Sequence, residues 1–123
     1  MEKSFGTRVA EAKQAVSSVS PQEAFALREG CEPIVFIDPR PADTIVATTG
    51  LIPGAKNVTL DEIASGKLPN ELGSKQTRVF TSCQGGPMGA IAAHELQKLG
   101  YNRVQYVEGG TQAWLDAGFP TNR

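Results

Sequence analysis

The sequence is sparing with the residues that most often carry chemistry. Its 123 residues hold one histidine, His94, and two cysteines, Cys31 and Cys83. Two cysteines cannot build a disulfide framework, and they supply no four-ligand zinc set. Free thiols and a cytoplasmic setting are the expectation from that scarcity. An excess of one charge is also missing: twelve basic side chains face thirteen acidic ones, for a net charge of −1. That balance gives no reason to expect nucleic acid or an anionic membrane surface as a partner. No apolar run approaches the roughly 18 residues of a membrane span. The opening MEKSFGTRVAEAKQAV lacks the apolar core of a secretory leader and is broken by charges throughout.

What remains is the composition of one soluble globular domain, with 40% hydrophobic and 20% charged residues. The first 18 residues suggest a polar amphipathic helix, with Val9, Ala12 and Val16 on one face. SPQE at 20–23 is a helix start: Ser20 caps, Pro21 suits the first turn and Glu23 closes a capping box. Gly30 is placed to end that helix in a left-handed conformation. PIVFID at 33–38, TRVFTS at 77–82 and RVQYVEGG at 103–110 read as buried strands. Between the first two lies a looser stretch, followed by short helices in TLDEIASG and LPNELG. MGAIAAHELQKLG is the clearest helix, with Ile91, Ala92, Leu96 and Leu99 on its apolar face, and GGTQAWLDAG is the last. Alternating strands and helices predict an α/β domain with a mainly parallel central sheet and helices on both faces.

The stretch TSCQGGPMGA, residues 81–90, carries the chemistry. A strand delivers Cys83 to a loop containing Gly85 and Gly86, and a helix follows. Backbone N–H groups of such a loop and of the helix N-terminus converge on one point, and the helix dipole favours negative charge there. Both glycines are expected to take positive φ and curl the backbone around the sulfur. A lone cysteine at a strand end is often only a small hydrophobe. The glycines and the helix behind it favour a nucleophilic thiolate instead.

The residues from Cys83 to Trp114 resemble the C-terminal half of a rhodanese-like domain. Members of that family carry C-x-x-G-x-R-S, then A-A-x-x-L, G-Y-x-x-V and G-G-x-x-x-W. Here Ala92, Ala93 and Leu96 match, as do Gly100, Tyr101, Val104, Gly109, Gly110 and Trp114. IDPR is similar to the family's I-D-x-R, and GLIPGA to its G-H-I-P-G-A. The resemblance implies a single rhodanese-like domain over 19–123, with 1–18 as a helical extension. It implies sulfur transfer through a Cys83 persulfide, from thiosulfate or a persulfide donor to cyanide or a thiol, small or carried by a protein. It implies no metal and no organic cofactor. Gln84, Gly85, Gly86, Met88 and Gly89 would contribute to the cradle around the sulfur, with Asp38 and Arg40 in support.

The sequence also departs from the family pattern. Met88 stands where an arginine is common and Gly89 where a serine follows. Pro87 removes one N–H from the cradle. Each missing charge-assisted contact costs about 1.5–3 kcal/mol of anion binding, so a donor less charged than thiosulfate is favoured. Thr44 replaces a frequent glutamate, leaving Asp43 as a partner for Arg40 or Arg40 facing the pocket. Bracing of Arg40 by a carboxylate is preferred to substrate contact, because buried charge needs a partner. Leu51 replaces the histidine of G-H-I-P-G-A.

His94 falls on the polar face of its helix and reads as a surface residue, Cys31 as a turn residue, Trp114 as packing. Gly109 and Gly110 shape a turn, since no phosphate-binding pattern follows them. Two other functions stand against sulfur transfer. One is a catalytically weak rhodanese-like module that binds a partner or senses redox state. The other is a cysteine phosphatase or arsenate reductase, which places five residues between the cysteine and an arginine. In this sequence that position is Gly89.

Overall fold

The computed structural model describes residues 4–123. In chain order the elements are α1 (Phe5–Ala15), β1 (Ser18–Val19), α2 (Pro21–Arg28), β2 (Ile34–Asp38), α3 (Ala42–Ala47) and β3 (Lys56–Asn57). They continue with α4 (Leu60–Ala64), a 3-10 turn (Asn70–Leu72), β4 (Arg78–Thr81), α5 (Pro87–Lys98), β5 (Val104–Val107) and α6 (Gly110–Asp116). The five strands form one sheet in the order β1-β5-β4-β2-β3, and every pairing is parallel.

A parallel sheet is covered on both faces, so its central strands are apolar on both. Alternation along each strand divides them between two cores. Ile37, Val79 and Val104 face the side of α4 and α5, with Ile63, Ala92, Ala93 and Leu96. Phe36, Phe80 and Val107 face the opposite side, where Ala24 of α2 and Trp114 of α6 close the core. Phe36 and Phe80 are register partners, and their rings meet edge to face at 5.4 Å. A third cluster joins Ala12 of α1 to Ala90 and Ile91 of α5.

The three longer strands and the helix of α5 lie where the apolar pattern puts them. Two edge strands of two residues each, β1 and β3, and the six-residue helix α3 are too short to show a period. LPNELG forms a short helix of the 3-10 kind, Asn70–Leu72, capped by Gly73. At α2, the Ser20 hydroxyl accepts from the Glu23 N–H at 3.1 Å. The full reciprocal capping box occurs at α4, between Thr59 and Glu62. Gly30 does not take the expected left-handed conformation: α2 is capped by Glu29 in ordinary helical geometry, and Gly30 is not among the positive-φ glycines. Gly100 and Gly118 do adopt positive φ just past α5 and α6.

Residues 1–3 of the expected N-terminal helix lie outside the described residues. Ser4 caps α1, accepting from the Thr7 N–H, and the helix ends before Val16. Val16 turns extended and joins the α5-side core, while Ala12 alone is fully buried within α1. Among the described residues, no helix is long and apolar enough to cross a membrane.

Candidate active site

Strand β4 ends at Thr81, and α5 begins at Pro87, so the loop carrying Cys83 sits at the carboxyl edge of the sheet. Ligands of open α/β sheets bind at this edge. Cys83 is buried, and its Sγ accepts a hydrogen bond from the Gly86 N–H at 3.0 Å. Gly86 is the residue before α5 and has φ +115°, which only glycine adopts without strain. Gly85 does not share this conformation, contrary to expectation: a single positive-φ residue is enough to return the backbone N–H toward the sulfur. Pro87 occupies the first turn of α5, where its fixed φ suits the helix and its missing N–H costs no intrahelical bond. First-turn N–H groups have no intrahelical acceptor, which leaves those of Met88 and Gly89 available at this helix end.

Gly89 allows α5 to pack directly on the strand end. A Cβ there would lie 3.3 Å from the Cys83 nitrogen and 3.4 Å from the Thr81 carbonyl oxygen. The Thr81 hydroxyl donates to the Gly89 carbonyl at 2.6 Å and fixes this approach. The other side of the loop is held by α6. The Thr111 N–H donates to the Cys83 carbonyl at 2.7 Å, and the Gln112 N–H to that of Gln84 at 3.0 Å. Beneath them the Ser82 and Thr111 hydroxyls share a buried hydrogen bond of 2.8 Å. Gly109 and Gly110 make the strand-to-helix turn expected of them, both at positive φ. A Cβ on Gly110 would lie 2.6 Å from the Gln84 oxygen and 2.7 Å from the Cys83 oxygen. The second glycine is thus a requirement of the cysteine loop itself.

Cys83 opens onto a cleft of about 350 Å³ that Gln84, Gly85 and Met88 also line. Its other walls are Phe5, Arg40, Pro41, Thr44 and Pro87. Arg40 therefore reaches the pocket, and it is also braced. Its Nε and one terminal nitrogen donate to the two oxygens of Asp38 at 3.0 and 2.7 Å. Further donations reach the hydroxyls of Thr48 at 3.0 Å and Thr49 at 2.9 Å. Asp43 is not the brace: its carboxylate accepts from the Thr44 N–H at 2.9 Å. Asn57 ties the same corner by donating to the carbonyls of Asp38 and Arg40. Leu51, in the histidine's place, pairs its backbone with Asn122 near the chain end, beside the turn that holds Arg40.

Cys31 and Cys83 are both free, and Cys31 is exposed. His94 is half-buried on α5, and the cleft's lining does not include it. Trp114 is fully buried and donates from its indole nitrogen to the Pro120 carbonyl at 2.8 Å. Sequence reasoning missed Phe5, Pro41, Thr48, Thr49 and Thr111, and noted Thr44 only as a departure from the family pattern. Only the doubled glycine at 109–110 hinted at Thr111.

The site is a buried cysteine whose sulfur is held by its own loop, at the carboxyl edge of a parallel sheet and in front of a helix N-terminus. The family model of the Rhodanese-like domain matches residues 20–117, and the chain belongs to that family. Three solved structures illustrate the likeness. A Rhodopseudomonas palustris protein of unknown function, described as a possible tyrosine phosphatase, is 27% identical with TM-score 0.82, over 99% of this chain and 96% of that one. A rhodanese homolog of Thermus thermophilus is 31% identical with TM-score 0.60, over 77% of this chain and 96% of its own. A rhodanese-like domain protein of Staphylococcus aureus is 26% identical with TM-score 0.67, over 88% of this chain and all of its own (100%). None of the curated proteins compared matches this chain.

Proposed function

We propose that this rhodanese-like domain is a sulfurtransferase that carries a sulfane sulfur on Cys83. The observation that carries the reading is the Gly86 N–H donated to the Cys83 sulfur at the base of an open cleft. A donor pointed at sulfur stabilises negative charge on it, and the N-terminus of α5 adds to that effect. In the first half-reaction the Cys83 thiolate attacks the outer sulfur of a donor R–S–SH. The donor's S–S bond breaks, R–S⁻ leaves, and Cys83–S–SH forms. In the second, an acceptor thiolate R′–S⁻ attacks the outer sulfur of that persulfide. This releases R′–S–SH and restores the Cys83 thiolate, so no external oxidant or reductant is consumed. The loop's N–H groups serve both half-reactions, because Cys83 sulfur bears the negative charge at the start of the first and at the end of the second.

A persulfide donor fits this loop better than thiosulfate. Met88 brings no charge to the cleft, and the Arg40 guanidinium is already engaged by Asp38. Steady-state sulfur transfer tests this: the wild type turns over a persulfide with a higher kcat/KM than thiosulfate. Met88→Arg narrows the gap by raising the thiosulfate value about tenfold or more. Thiosulfate preferred by the wild type contradicts the donor assignment. A phosphatase reading, suggested by the description of the Rhodopseudomonas palustris protein, needs an arginine at position 89. Here Gly89 packs against the Cys83 and Thr81 backbone, where a side chain has little room.

A further inference from the structure

Phe5 is one of two large hydrophobic side chains left exposed among the described residues, at 52% of its surface, and it borders the cysteine cleft. Its position is fixed by α1, which Ser4 caps and which packs Ala12 onto Ala90 and Ile91 of α5. An ion pair between Arg8 and Glu95 and a donation from the Gln97 side-chain amide to the Ala15 carbonyl hold the same helix. Among the described residues, no other aromatic ring reaches the lining of the cleft; Pro41, Pro87 and Met88 add further apolar surface. Among the described residues, Arg40 is the only permanently charged one in that lining, and Asp38 neutralises it through two hydrogen bonds. The volume, about 350 Å³, matches a small-molecule site.

Resting on the sulfurtransferase reading, we propose that Phe5 and Met88 are specificity-determining residues that select a low-molecular-weight persulfide with an apolar organic arm. A charged arm loses solvation in this cleft and finds no free counter-charge among the described residues that line it. An aryl or alkyl arm instead packs against the Phe5 ring and the Met88 thioether, both of which favour aromatic contacts. Loading follows the balance given above: benzyl–S–SH and Cys83–S⁻ yield Cys83–S–SH and benzyl–S⁻.

The test is the rate of sulfur loading onto Cys83, followed by intact mass in single turnover. The donors are benzyl persulfide, glutathione persulfide and inorganic polysulfide. The wild type is expected to load from benzyl persulfide about tenfold faster than from glutathione persulfide at equal, subsaturating concentration. In Phe5→Ala that ratio falls about three- to tenfold, through weaker half-saturation by the benzyl donor. Met88→Arg shifts the ratio the same way by improving the glutathione donor. An unchanged ratio in both variants overturns the proposal, as does an equal loss with every donor in Phe5→Ala. So does a wild type that prefers glutathione persulfide. Loading by polysulfide without any preference refutes the selectivity alone, whereas failure of Cys83 to load from any donor refutes the sulfurtransferase reading with it.

Discussion

At the scale of single residues, the site divides into a sulfur and a brace. Cys83 was legible from its neighbours, since two glycines and a helix after a strand are a local pattern. That a carboxylate braces Arg40 was legible too; the full set of its partners was not, because they come from several places along the chain. Asp38 lies two residues before it, Thr48 and Thr49 eight and nine residues after it, and the Gly50 carbonyl beyond them. The pair is buried, with side chains 2% and 3% exposed and a closest approach of 2.7 Å. Removing one buried partner leaves the other charge uncompensated, which costs about 3–5 kcal/mol. Arg40→Ala is therefore expected to lower the urea midpoint of unfolding by that amount of stability, with no change in the slope. A loss under about 1 kcal/mol would mean that Asp38 finds a second partner.

At the scale of elements, two helix N-termini clamp one loop. Helix α5 begins beside the sulfur, and α6 donates to the carbonyls of Cys83 and Gln84. The contact tolerates no Cβ at Gly110, whose φ is +66°. Gly110→Ala combines a strained φ with overpacking against backbone, at about 2–4 kcal/mol together. It is expected to lower the thermal midpoint and slow sulfur loading, while Gly54→Ala, at positive φ but in open space, carries only the strain. At the opposite edge of the sheet, Glu32 joins the starts of β4 and β5 through Arg78 and Arg103. Hydrogen bonds from Arg103 and then Arg78 hold its carboxyl below the usual carboxylate range. A lowered carboxyl stabilises the fold above its unfolded pKa, and the contribution fades as pH falls through the lowered folded value. Glu32→Gln should thus lower the thermal midpoint slightly at neutral pH, and the difference from wild type should vanish in acid. A difference that persists in acid would show that the glutamate acts through packing. The pair is exposed, so the effect is small.

At the scale of the whole molecule, the parallel α/β architecture was legible because the three central strands are buried on both faces and read as continuous apolar runs. The strand order was not, since β1 and β3 span two residues each and take their place from pairing with β5 and β2. Nor does any local signal show that α1 runs along α5 and brings Phe5 to the mouth of a cleft whose cysteine lies 78 positions further on. Long-range packing decides both. The same packing buries Cys83 and leaves Cys31 exposed, so the two thiols can be told apart in one experiment. That experiment is the intact mass of wild type, Cys83→Ala and Cys31→Ala after incubation with a sulfane donor, desalting, and then addition of a thiol acceptor. The expected result is a gain of one sulfur atom in wild type and Cys31→Ala, its loss on addition of the acceptor, and no gain in Cys83→Ala. An adduct of equal size in Cys83→Ala, or none in the wild type with any donor, would contradict the assignment of Cys83 as the sulfur carrier.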